Sequence, residues 1–112
     1  MSPALFNHTH KEVLDDVLLG IPGVVGGTMF GYPAYYINRK LFACIYEEGV
    51  GIKVPEKVAE LLVGRNGIVR FQPKGRKPMK EWIQINRERS EDYRGDQEIL
   101  KISIDFVSSA MK

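Results

Sequence analysis

This chain has one cysteine, Cys44, so it cannot carry an intramolecular disulfide. That excludes the small secreted scaffolds that depend on such bridges and points to a reducing cytoplasm. Histidine is equally scarce. His8 and His10 lie two apart near the N-terminus, without the cysteine or carboxylate spacing of a zinc site. A solvated terminus and no metal are the expectation. No apolar run is long enough to span a membrane. The opening MSPALFNHTHKE lacks the basic and apolar regions of a signal peptide, so the sequon Asn7-His8-Thr9 is expected to stay unmodified. A dominant charge is missing too: the formal net charge is +2, with 27% charged residues. That is well short of a dedicated DNA-binding tail.

The usual signatures of catalysis are also absent. Gly26, Gly27 and Gly31 fit neither phosphate-loop spacing, and they precede strand residues rather than a helix. Cys44 sits in an apolar strand far from either histidine, which reads as core packing. The pairs Asp15-Asp16, Glu47-Glu48 and Glu91-Asp92 are sequence neighbours on a helix face or in turns, and they read as solvated charge. No catalytic residue, metal or cofactor is expected.

What is present fills one domain, 1–112. Apolar residues make up 44% of the chain, enough for a core at this length. Thr9 and Glu12 have capping-box spacing ahead of an apolar stripe, Val13, Leu14, Val17 and Leu18, which predicts a helix over about 10–19. Paired glycines at 26–27 suggest a bulge or a close backbone approach within a strand. Asn38-Arg39 reads as a hairpin turn, with Arg39 an awkward residue for positive φ. Leu41–Tyr46 is apolar on both faces, as in a covered central strand. After a turn at Glu48-Gly49, Val50, Ile52 and Val54 alternate as a half-buried strand. Pro55 opens a second helix with Val58, Leu61 and Leu62 inward. Two short strands, around 68–71 and 81–85, precede a last helix at about 96–111. The order is α-β-β-β-β-α-β-β-α, an α+β domain with a largely antiparallel sheet of five to six strands.

Two surfaces stand out. The stretch KGRKPMKEW (74–82) is the one dense basic cluster. Lys74, Arg76, Lys77 and Lys80 could attract phosphates, with Arg65 and Arg70 adding to them, and Trp82 could stack on a base or anchor a strand. The last helix carries an apolar arc of about 200°, wider than one sheet face needs. Ile99, Ile102, Phe106 and Ala110 on that arc are the candidate interaction surface for a partner or a second copy.

Met29-Phe30-Gly31, the hairpin Tyr35–Ala43, Gly51–Pro55, Phe71 and Gly75–Ile83 resemble, in order, the TfoX/Sxy N-terminal domain family. The MmcQ/YjbR-like proteins have a similar hairpin layout and are the next resemblance. The likeness covers about Gly26 to Ile85, and the run from Gly75 to Trp82 is its more specific part. It departs at the turn, where family members often carry Asp-Gly or Asn-Gly. It implies a compact, cytoplasmic, prokaryotic α+β domain with no catalytic residues. The founding members regulate natural competence and carry a second, C-terminal domain, and activity needing both halves is not expected of these residues alone. The expected function is a non-enzymatic regulatory or protein-interaction domain, with a protein partner or homodimer. The alternative is an accessory nucleic-acid-binding module using loop 74–80, with weak binding.

Overall fold

The computed structural model describes residues 5–73 and 75–109. Asn7 starts the first helix: its side-chain oxygen accepts from the amides of Thr9 at 2.9 Å and His10 at 3.0 Å. Two donors that a helix start leaves unpaired are thereby satisfied. The helix, α1, runs His8–Leu18. The cap thus falls at Asn7 rather than at the expected Thr9, because the asparagine oxygen reaches both amides at once.

Four strands follow as a meander: β1 (Val24–Met29), β2 (Tyr32–Ile37), β3 (Lys40–Tyr46) and β4 (Gly49–Lys53). Each connection is two residues long. Phe30 and Gly31 have φ of 51° and 85°, and Asn38 and Arg39 have 51° and 66°. These left-handed pairs match the twist of the flanking strands, so Arg39 adopts the positive φ that its position demands. Helix α2 (Glu56–Leu62), β5 (Ile68–Arg70) and β6 (Trp82–Ile85) come next. A 3-10 helix (Ser90–Asp96) leads directly into α3 (Gln97–Ser109). The sheet is six-stranded and antiparallel throughout, in the order β1-β2-β3-β4-β6-β5. The α+β class expected from the sequence is the observed one.

The paired glycines make no bulge, since β1 and β2 pair in unbroken register. The irregularity lies one hairpin further on. Tyr35 faces Ala43 and Tyr36 faces Leu41, which leaves Phe42 as the extra residue. The bulge turns both Phe42 and Ala43 toward the helix side.

The helices cover one face of the sheet. Leu14, Leu18, Tyr35, Phe42, Ile45, Ile52, Ile83 and Leu100 belong to that core. Most of the wide apolar arc of α3 is used up there. Leu100 and Val107 are buried, Ile99, Ile104 and Phe106 pack against the core, and only Ile102 stands out at 38% exposed. Ala110 lies outside the described residues. In α2 the inward set is Val58, Ala59 and Leu62, whereas Leu61, expected inside, is 69% exposed. The helix has only two turns and rests on the sheet margin, so one stripe suffices. His10 is also a correction: it is 1% exposed, not solvated.

Among the described residues no helix is long and apolar enough to cross a membrane.

Three buried acids lose protons late. Burial pushes the Cys44 thiol up to about 12 and the Tyr93 phenol to about 12. Burial, then the bond to Asp15, raises Tyr35 further. The folded chain therefore keeps protons that the unfolded chain releases from about pH 9 upward. Stability from these groups is complete below pH 9 and is lost as pH rises toward 12. Melting curves from pH 8 to 11 should fall progressively, and Cys44 in the native protein should resist alkylation at pH 8 while reacting once the chain unfolds.

Candidate binding cleft

Among the described residues no helix lies on the other face of the sheet. Ala34, Cys44 and Tyr46 point to this side, and the chain between β5 and β6 folds back to close it. Phe71, Met79 and Trp82 supply the cover. Phe71 stands edge-on to Tyr46, with centroids 5.3 Å apart at 83°. It leans on Trp82 at 5.5 Å and 42°, and Tyr32 completes the row against Tyr46 at 4.8 Å. These spacings suit the ring quadrupoles.

One glycine makes the closure possible. A Cβ on Gly51 would lie 3.0 Å from Phe71 Cζ and 3.2 Å from Cys44 Sγ. Gly51 was expected on a half-solvated strand. It is buried, because Phe71 occupies the space a side chain would need.

Backbone hydrogen bonds hold the loop in shape. The Phe71 amide donates to Trp82 O (3.3 Å), Met79 to Phe71 O (3.2 Å) and Arg76 to Pro73 O (2.9 Å). The Arg70 guanidinium donates to Lys80 O (3.0 Å). One arm of Arg70 thus supports the loop's backbone.

The cover is incomplete. A cleft of about 480 Å³ remains between the hairpin tip and the loop, lined by Met29, Phe30, Tyr32, Leu41, Phe71, Arg76 and Trp82, among others. Its volume lies in the range of ligand pockets, and its walls are mostly apolar with few polar groups. Burial, then Tyr46 and Glu47, raises the Tyr32 phenol, so Tyr32 stays a neutral donor. Phe30 stands at the rim, 81% exposed.

The basic loop is only partly what its sequence suggests. Arg76, Lys77 and Lys80 are exposed, and Arg76 reaches the cleft wall. Lys74 lies outside the described residues. Trp82 is 7% exposed and its ring leans on Phe71, which makes it an anchor rather than a stacking platform. The aromatic lining escaped sequence reading. The one signal was the density of rings in MFGYPAYY, and strand alternation alone does not say what covers a face.

A second cluster was also invisible in sequence. His10 Nδ1 lies 2.6 Å from Ser90 Oγ, and Nε2 lies 3.1 Å from the carbonyl of Glu48. A carbonyl only accepts, so Nε2 carries a proton, and in the neutral ring Nδ1 then accepts from the serine. A base and a hydroxyl eighty residues apart do meet here, where none was expected to pair. The imidazole is buried and has both nitrogens engaged, with Tyr93 edge-on at 4.8 Å. The pair is a clasp joining α1, the β3–β4 turn and the 3-10 helix. Nearby, Arg87 is spent in the same way, on Asp96 (2.7 and 3.0 Å) and Asn66 O (2.9 Å). No group of three or more histidine, cysteine, aspartate or glutamate side chains placed to hold a metal occurs among the described residues.

In comparisons with known proteins, no family model, no curated protein and no solved structure matches this chain.

Trp82→Ala should cost about 3–5 kcal/mol in thermal or denaturant unfolding. Gly51→Ala should cost about 1–3 kcal/mol by displacing Phe71, and the Phe71 ring signals in NMR should shift with it. Ser90→Ala, which leaves a buried imidazole nitrogen unpaired, should cost about 1–3 kcal/mol.

Proposed function

We propose that this chain is a small, non-enzymatic, cytoplasmic interaction domain of regulatory type, resembling the TfoX/Sxy N-terminal domain. In this reading it receives an apolar side chain of a protein partner in the cleft between the hairpin tip and loop 71–82. One observation carries the reading: Phe30, on a turn with φ of 51°, holds its ring 81% exposed beside an open aromatic cleft. An apolar ring held in water beside an apolar cleft is the arrangement of a docking surface. Arg76, Lys77 and Lys80 around the rim favour acidic residues flanking the inserted side chain.

A second reading, an accessory nucleic-acid-binding module, rests on those same three cations. None of them has a carboxylate partner among the described residues. The burial of Trp82 weakens it, because the stacking face is already used.

Peptides selected by display on the wild-type protein, then titrated against variants, separate the two. Phe30→Ser and Tyr32→Ala should each weaken binding by about tenfold or more. Titrations of single-stranded and duplex DNA should barely differ between wild type and a variant with Lys74, Arg76, Lys77 and Lys80 changed to alanine. Steeply salt-dependent DNA binding, lost in that variant by about one unit of log–log slope per cation, would favour the second reading instead.

A further inference from the structure

Residues 17–38 include no aspartate, glutamate, lysine, arginine or histidine, in a chain that is 27% charged. This segment contains β1 and all of β2, and β1 is an edge strand. Edge strands expose unpaired peptide groups, and soluble proteins blunt them with charge, proline, bulges or brevity. The opposite edge follows that rule: β5 is three residues long and ends in Arg70. The edge at β1 does not. It is six residues long, VVGGTM, uncharged and without a bulge.

The surroundings of β1 are also unusually apolar. Of the large hydrophobic residues exposed among the described residues, three cluster there. Val25 lies on the strand and is 61% exposed. Phe30 lies on its turn. Leu19 packs beside it, 3.5 Å from where a Cβ on Gly26 would sit.

The tight turn fixes which groups face outward. A two-residue turn closes on a hydrogen-bonded pair, here Met29 and Tyr32. Alternate residues then direct their peptide groups away from β2, namely Val24, Gly26 and Thr28. Two of these outward groups are occupied from within the domain. The Val24 amide donates to Ile21 O at 3.1 Å. The Tyr36 hydroxyl crosses Gly27 and donates to Thr28 O at 2.7 Å, and a carbonyl oxygen still accepts a second donor. Among the described residues the carbonyl of Val24, the amide and carbonyl of Gly26 and the amide of Thr28 remain to be paired.

We infer that β1 pairs antiparallel with β1 of a second copy of this chain, joining the two sheets edge to edge about a two-fold axis through Gly27. Opposed residues in a sheet must share a face, and this register satisfies that for every pair. Val25 meets Met29 of the second copy on the cleft side, Gly26 meets Thr28 on the helix side, and Gly27 meets Gly27 on the axis. Each pair occurs twice, as an isologous contact requires. The paired strands carry no charged residue, and the exposed Val25 and Leu19 lie where the second copy would cover them. A charged partner strand would meet no counter-charge on this edge, whereas the chain itself presents a matching uncharged one. The axis is normal to the sheet, so both clefts open on the same side. The pairing does not depend on the cleft's ligand: Tyr32→Ala alters the cleft wall and leaves the outward groups of β1 in place.

Sedimentation across a concentration series tests the pairing. Wild type should shift from one chain mass to twice that mass as concentration rises. Val25→Lys or Met29→Glu alone should weaken self-association by about tenfold or more. The double variant Val25→Lys/Met29→Glu should recover it. In this register each lysine faces a glutamate of the other copy, while the two residues lie about 13 Å apart along their own strand. Melting curves on each variant confirm folding. Should Met29→Glu not fold, an equimolar mixture of Val25→Cys and Met29→Cys decides: mild oxidation should give the mixed covalent dimer, with buried Cys44 taking no part. A wild type that remains a single chain at every concentration would overturn the inference. So would folded single variants that associate like wild type, a double variant that does not recover, or an oxidised mixture with no mixed dimer.

Discussion

The structure depends on a sheet that must be covered twice with helices enough for once. All three α-helices and the 3-10 helix serve one face. Among the described residues the other face, with Cys44, Tyr46 and Ala34, is covered by the return loop between β5 and β6. Phe71 is the piece that settles it. Its ring sits over Gly51, between Tyr46 and Trp82, and replaces a layer of secondary structure with three side chains. That economy leaves a gap at the hairpin tip, and the cleft is that gap. Candidate function and fold thus share one cause.

The helix face is organised differently. Its apolar contacts are supplemented by polar ties that span long sequence separations. His10 links Ser90 to the Glu48 carbonyl. Tyr35 donates to Asp15 at 2.6 Å, Tyr93 to Ile85 O at 2.9 Å and Ser103 to Phe42 O at 3.3 Å. Each pairs a buried polar group that would otherwise be costly. Together they fix α1, the 3-10 helix and α3 to particular strands, which apolar packing alone would leave free to slide. On the cleft face the loop's own backbone bonds set the shape.

Much of this fold could be read from the sequence, because local signals agreed with tertiary need. The alternation in β4, the apolar run of β3, the Asn38-Arg39 turn and the wide arc of α3 each gave the right element in the right order. Trp82 as a strand anchor was one of the two roles the sequence offered. The misreadings share a form. His10, Gly51 and Leu61 were assigned to water or core from their own neighbours, whereas Ser90, Phe71 and the sheet margin decided the matter from far along the chain. The cleft was illegible for the same reason. Its walls come from the hairpin around Phe30 and from residues 71–82, and no spacing rule connects the two. The basic loop drew attention because charge is conspicuous in a sequence, while the rings beside it read as ordinary core.

The late arrival of the cover has a consequence for synthesis. The meander from β1 to β4 is built from two-residue turns and nearest-neighbour pairings, so it closes few long loops and forms early. On a ribosome it would emerge before residues 71–82 exist. During that interval the Cys44 and Tyr46 face and the uncharged β1 edge would both be open to other nascent chains. Until the residues after β4 leave the exit tunnel, only α1 is present to cover either face of the sheet.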